Sequence, residues 1–349
     1  MKRIACFVLV LTMIASLFTG CKMKKTKYND YSFDYFDTVT TITGLESNKE
    51  EFDAKCKEIK ALLEEYHKLY DIYNAYEGIN NLHTVNQLVD GKHVPVKVDK
   101  KIINLLTFAE EMYIFTGGKL NVAMGSVLKI WHKYREEGLS NPNEAKLPEI
   151  EALKSANGHT VFDDIIVNKA ESTVYISDDE MSIDVGAIAK GYVAEKIAKW
   201  MIGKKYYGYV INIGGNVRTI KRDDGEKWKV GIENPDTEDT ENPYIETLKF
   251  DEMSLVTSGS YQRFYMVDGK SYHHIIDSET LMPAQNFKSV SVICADSGVA
   301  DALSTTLFCM SHEEGLELLE HCLDTEVMWV LPSGKRLYTD GFKKYCEQQ

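Results

Sequence analysis

The alternation of apolar and polar positions divides the chain into short strands and a few amphipathic helices. Residues 35–42 alternate and are rich in β-branched side chains, which predicts a strand. Residues 50–70 instead place Phe52, Cys56, Ile59, Leu62, Leu63, Tyr66 and Leu69 at helical spacing, so a long helix with one buried face is expected. A second helix is expected over 100–115, opened by Asp99 as N-cap and stopped at Thr116-Gly117-Gly118. Short strands should occupy 173–176 and 181–185, after which the small residues from Gly186 to Gly191 turn the chain into a helix over 192–202. Further strands are expected at 209–217, with a Gly214-Gly215 bend, and at 228–232, 247–250, 253–257, 262–267, 271–276, 289–294 and 327–331. Asp268-Gly269 reads as a hairpin turn, and Ser311 with Glu314 as a capping box for a helix reaching Cys322. Such a mixture of largely antiparallel strands with packed helices is α+β.

The first residues break this pattern. Lys2 and Arg3 precede an apolar run over 4–18 that ends at Thr19-Gly20-Cys21, the layout of a secretory signal. A cysteine directly after the cut points to a bacterial lipoprotein, with residues 1–20 removed and Cys21 lipidated. A plain cleaved signal and an uncleaved anchor are the alternatives. Residues 21–30 are lysine-rich and read as a tether, leaving 31–349 as the folded body at the extracytoplasmic face of the cytoplasmic membrane. Loss of Lys2 and Arg3 takes the formal charge from -13 to about -15, which disfavours nucleic acid as a partner. Of seven cysteines, the five beyond Cys21 form no C-x-x-C pair and no even set, so neither a zinc site nor a disulfide framework is expected.

Candidate chemistry lies in four places. On a helix, Asp301, Ser304 and Thr305 share a face that offers only oxygen, which suits a hard cation such as Mg²⁺; equally, Asp301 could cap that helix. Tyr73 and Tyr76 lie in an irregular aromatic stretch that could cover a flat ligand or simply pack at the surface. Ala123, Gly125 and Ser126 would admit a ligand to the backbone or form a tight turn. The small-residue turn before Lys190 could hold phosphate at a helix start or permit close helix packing.

Five strings occur in one order: Asp184-Val185-Gly186-Ala187-Ile188-Ala189-Lys190-Gly191-Tyr192, Asn212-Ile213-Gly214-Gly215-Asn216, Thr257-Ser258-Gly259, Tyr272-His273-His274-Ile275-Ile276-Asp277 and Ala300-Asp301-Ala302-Leu303-Ser304-Thr305. Together they closely resemble the ApbE family of FAD:protein FMN transferases, formerly called thiamine biosynthesis lipoproteins. The likeness runs from Phe36-Asp37-Thr38 to the last strand. It implies a T-fold-related architecture and a Mg²⁺-dependent enzyme that binds FAD, moves FMN to a Thr or Ser hydroxyl of an acceptor redox protein and releases AMP. A FAD pyrophosphatase giving FMN and AMP, or a non-catalytic flavin-binding lipoprotein, are the alternatives. By the same resemblance the metal is held by the Ala187 carbonyl, Asp301 and Thr305, and His274 is the base with His273 as its competitor. FAD contacts map to Phe36, Tyr73, Ala123, Met124, Gly125, Asp184, Lys190 and Ile275, with Thr257 and Ser258 beside the nucleotide. Ser304 stands where some relatives have a second acid, which favours transfer over two-metal hydrolysis. Leu120-Asn121-Val122-Ala123 and Ser278-Glu279-Thr280-Leu281 depart from the commoner Phe-Asp-Pro-Thr and Pro-Arg-Thr-Gly strings.

Overall fold

A computed structural model describes residues 25–347. The predicted signal over 1–20 and Cys21 lie outside the described residues. Strands β1 (Thr26–Tyr35) and β2 (Thr38–Glu46) form a hairpin in which Tyr35 faces Thr38 across a two-residue turn. Phe36 (φ 55°) and Asp37 (φ 49°) both adopt the left-handed conformation that so tight a turn demands. The single strand expected over 35–42 is therefore a turn followed by β2, because no glycine marks the reversal. Of the tether expected over 21–30, the residues from Thr26 on already belong to β1.

Helix α1 (Lys49–Tyr70) follows, capped by Asn48, whose side chain accepts from the Glu51 N–H, and buries Phe52, Cys56, Ile59 and Leu63. Then come α2 (Leu82–Val85), β3 (Val96–Lys97) and α3 (Lys100–Phe115), with Asp99 accepting from the Lys101 N–H at 2.7 Å as the predicted cap. After α4 (Gly125–Ser140), α5 (Ile150–Asn157), β4 (Ile165–Asn168) and β5 (Thr173–Ile176), the segment expected as a strand over 181–185 makes only an isolated bridge, Ser182 to Met124. Helix α6 (Ala189–Gly203) leads into β6 (Tyr209–Ile213), β7 (Asn216–Thr219), β8 (Trp228–Glu233), β9 (Tyr244–Phe250), β10 (Ser254–Gly259), β11 (Phe264–Val267), β12 (Lys270–His273) and β13 (Ser289–Cys294). Helices α7 (Ser297–Cys309) and α8 (His312–Leu319), the latter with its capping box formed, precede β14 (Glu326–Val330) and β15 (Arg336–Tyr338).

Eight strands build the main sheet in the order β1-β2-β6-β7-β10-β13-β14-β15, every neighbour antiparallel. Side chains alternate across it. Ile42, Ile211, Ile213, Val256, Val290, Val292 and Trp329 belong to the large core shared with α1, α6 and α7. Leu255, Ile293, Met328 and Val330 point the other way, into a smaller core with Ile232, Leu248 and Phe250 of the β8–β9 ribbon. A third core joins α4, α5 and β11 through Val127, Trp131, Leu153, Tyr265 and Val267. Among the described residues, no helix is long and apolar enough to cross a membrane.

Candidate active site

The site is built where the start of α6 meets α7 and the ends of β10 and β12. Asp296, not Asp301, caps α7, accepting from the N–H groups of Gly298 and Val299. Asp301 lies further along the helix, 4% exposed, and its Oδ2 accepts from the Gly191 N–H at 2.7 Å. In a regular helix that N–H would bond to the carbonyl four residues back, which is Ala187. Diverted to Asp301, it leaves the Ala187 oxygen without a hydrogen bond among the described residues. Thr305 lies one turn beyond Asp301, its Oγ1 3.3 Å from Ser258 Oγ. Ser258 also meets Ser304 Oγ at 2.8 Å, and Ser304 in turn donates to the Asp301 carbonyl.

Gly191 permits this meeting of helices. A Cβ there would lie 2.3 Å from the Ser297 carbonyl and 2.4 Å from Asp301 Cβ. Behind it, Arg218 of β7 and Glu195 of α6 form a buried ion pair at 2.7 Å, and the same Glu195 oxygen accepts from the Ser297 N–H. One carboxylate thus fixes the start of α7 to α6.

The Ala187 carbonyl, the Asp301 carboxylate and the Thr305 hydroxyl, the last shared with Ser258, offer oxygen alone, the donor type that fits Mg²⁺. Among the described residues, no three His, Cys, Asp or Glu side chains are placed to hold a metal ion together, and Asp301 is the one carboxylate of this set. Burial raises the pKa of Asp301, and Lys190 and the Gly191 N–H only partly oppose it. A cation beside Asp301 would relieve that cost.

The two histidines differ sharply. His273 is 4% exposed, its Nε2 donates to the Ala284 carbonyl at 2.6 Å, and its Nδ1 accepts from the Ile275 N–H. Both ring nitrogens serve the fold. His274 Nδ1 is buried with no hydrogen-bond partner. Burial, together with Arg263, Lys190, His273 and Arg135, pushes the His274 pKa down to about 3.

The same cations act on the other predicted residues. Asp184, its pKa raised by burial, feels His132, Lys190 and Arg135, and its Oδ1 accepts from the Gly186 N–H. Lys190 folds back so that its Nζ donates to the Gly186 carbonyl at 3.0 Å. Tyr73, 53% exposed, stacks on His132 at 5.2 Å between centroids and has Asp184, Arg135, Arg263 and Asp37 as charged neighbours. Tyr76 is committed elsewhere, donating to Asp71 at 2.8 Å. Phe36 packs edge-on against His67, and Arg263 donates to the Asp37 carbonyl beside it. Shared charged neighbours link Tyr73, Asp184, Lys190, His274 and Asp301, while Ser258 touches Thr305 on the Asp301 helix and Arg263 reaches the turn that carries Phe36.

Other predicted residues offer less. Ala123, Met124 and Gly125 are buried beside Asp184, because the Asp184 N–H donates to Val122 and the Gly125 N–H to Ser182, leaving only backbone for a ligand. Ile275 has its N–H given to His273, its carbonyl accepting from Ala284 and its side chain in the core. Thr257 is separated from Ser258 by strand alternation, and its hydroxyl meets Ser291 on the ribbon side of the sheet. His132, Arg135 and Arg263 were not expected. The spacing of His132 and Arg135, three apart on one helix, is the only signal in the sequence, and their 2.8 Å contact bears it out.

A sequence model of the ApbE family matches residues 36–329. A protein of Klebsiella pneumoniae (strain 342) named FAD:protein FMN transferase is 29% identical over 269 residues, 75% of this chain and 81% of that protein. The Haemophilus influenzae protein of the same name is 25% identical over 334 residues, 92% of this chain and 91% of its own length. The crystal structure of the ApbE protein from Thermotoga maritima shares the fold, with a TM-score of 0.79 at 24% identity over 93% of this chain and 100% of that one.

Proposed function

The chain belongs to the ApbE family, and from that premise we propose that it moves the FMN half of FAD onto a Ser or Thr hydroxyl of an acceptor redox protein, releasing AMP. The acceptor oxygen bonds to the FMN phosphorus, the bond from that phosphorus to the AMP oxygen breaks, and the hydroxyl proton passes to His274. One observation carries this reading: an imidazole nitrogen without a partner, buried among Lys190, Arg135 and Arg263. Such an imidazole is neutral at physiological pH, and a bound diphosphate that offsets the three cations would raise its readiness to take a proton. The three cations offer fixed positive charge to the diphosphate and to the charge gathering on the departing AMP. Tyr73 presents an exposed ring to a flat ligand. The Ala187 carbonyl, the Asp301 carboxylate and the Thr305 hydroxyl would hold Mg²⁺, which when bound draws charge from the diphosphate oxygens. Ser304, turned to the Asp301 carbonyl, supports a site with one carboxylate.

Purified protein mixed with FAD, Mg²⁺ and a candidate acceptor tests the proposal. Covalent flavin fluorescence on the acceptor, with matching AMP release, is expected. Free FMN and AMP without labelling would make the protein a pyrophosphatase, and bound but unchanged FAD would make it a flavin-binding lipoprotein.

Residues 1–20 are, on this reading, a secretory signal, and Cys21 carries the lipid that holds the body at the extracytoplasmic face of the cytoplasmic membrane. The support is the charged, apolar and small-residue order ending at Cys21. In the mature wild-type protein, mass spectrometry should find residues 1–20 removed and a lipid on Cys21, and Cys21→Ala should lack both changes. An unmodified Cys21 in the membrane-bound wild type would reject the anchor.

A further inference from the structure

We propose that the cavity beneath the β8–β9 ribbon receives an extended segment of the acceptor protein, an inference that rests on the transferase reading above. The ribbon-side face of the main sheet changes character across its width. Where the ribbon packs, the sheet presents Leu255, Ile293, Met328 and Val330, and the contact is apolar. Toward β2 and the turn end it sets Thr41, Thr43, Asn212 and Thr257 among Val210, Val217 and Leu255, and there a cavity of about 330 Å³ stays open between the layers. A covered sheet face is ordinarily apolar, so hydroxyls and an amide lining a cavity indicate a hydrophilic occupant. The volume lies within the range of binding pockets.

Position selects the occupant. The cavity reaches Gly215, Tyr261 and Gln262 at the end of the sheet where the active site begins. Gln262 adjoins Arg263, which donates to the Asp37 carbonyl beside Phe36. The Gly214-Gly215 turn lies against the same hairpin, with the Gly214 N–H donating to Val39. Thr257 faces the cavity while Ser258, the next residue on β10, faces Ser304 and Thr305. A second protein must bring its hydroxyl to that end of the sheet. A chain leaving the site past Tyr261 would enter the cavity, where hydroxyls and an amide can satisfy an extended backbone, Lys27, Lys229 and Glu233 can meet its polar side chains and aromatic walls can cover small ones.

Steady-state labelling of an acceptor that the wild type flavinylates tests this, using Thr41→Trp to fill the cavity and Lys27→Glu to reverse a charge in its lining. The acceptor KM should rise tenfold or more in Thr41→Trp and at least threefold in Lys27→Glu, while the Kd for FAD and the melting temperature stay at wild-type values. Wild-type acceptor KM in the folded variants would overturn the cavity assignment and leave the transferase reading standing. A parallel rise in the FAD Kd would overturn it too, as a general distortion. If Thr41→Trp fails to fold, Lys27→Glu decides. Failure of the wild type to label any acceptor would overturn both readings.

Discussion

His273 and His274 are adjacent in sequence and opposite in circumstance. His273 spends both ring nitrogens on the backbone, so its replacement should cost stability, whereas His274 keeps an unpartnered nitrogen among three cations. His274→Ala should therefore leave FAD affinity within about threefold of wild type and lower the transfer rate by roughly 10²- to 10⁴-fold, the usual range for a lost general base. Wild-type labelling by that variant would remove His274 from the mechanism. The depressed pKa of His274 has its own consequence. The bound diphosphate of FAD would neutralise the charges of Arg135, Lys190 and Arg263 that help hold it down, so the imidazole pKa, followed by NMR, should rise when FAD binds. Without ligand, this histidine carries no protonation penalty above pH 6.5, and stability falls as the pH drops from there toward its folded pKa of about 3, because the unfolded chain takes up the proton first. The family strings brought His274, Asp301, Lys190 and Asp184 to notice and favoured His274 over its neighbour, and the hydrogen bonds of the two histidines supply the physical reason. Thr257 and Ser258 were likewise inseparable until the strand showed which face each takes.

At the scale of elements, the active site depends on how closely α6 approaches α7. Gly191→Ala would drive a methyl group into the Ser297 carbonyl and Asp301 Cβ, both under 2.5 Å away. The helices must then part, which should cost about 1–3 kcal/mol as overpacking and pull Asp301 away from the Ala187 turn. Expected are a lower melting temperature and weaker Mg²⁺ affinity. Gly203→Ala, at the far end of the same helix, meets nothing within 4 Å and should be neutral or stabilising. Equal effects of the two substitutions would show that helix propensity, not the α6–α7 approach, governs the result. The start of α6 was readable as a turn of small residues, and the close-packing alternative proved to be physically true of it. The elements that sequence periodicity reproduced best are those with clear local caps or long alternation, such as α3 behind Asp99 and β13 at Ser289–Cys294. It failed where tertiary contacts decide. The Phe36-Asp37 turn carries no glycine, and the segment after Met181 is held by Val122 and Gly125 rather than by a neighbouring strand.

Across the whole molecule, the residues of the site come from segments spread between Phe36 and Thr305, so no part of the chain holds the ligands alone. A ligand that binds only the assembled protein must stabilise all of it. FAD at about 100 times its Kd should add about 2.7 kcal/mol, or roughly 5 °C in melting temperature for a chain of this size. The protein is acidic, with a formal charge of -13, yet Arg135, Lys190 and Arg263 gather around His274. Association of the anionic nucleotide should then be steered locally and weaken with added salt. Mg²⁺ should produce a further shift in melting temperature beyond that of FAD, because the oxygens proposed to hold it sit on α7 and on the turn before α6 and would be tied together by the ion. Asp301→Ala should keep the shift due to FAD alone and lose the Mg²⁺ increment. The four melting curves, each protein with FAD and with or without Mg²⁺, separate the two contributions without any measurement of transfer. An undiminished Mg²⁺ increment in Asp301→Ala would place the ion elsewhere and leave the buried Asp301 carboxylate as a strut between two helices.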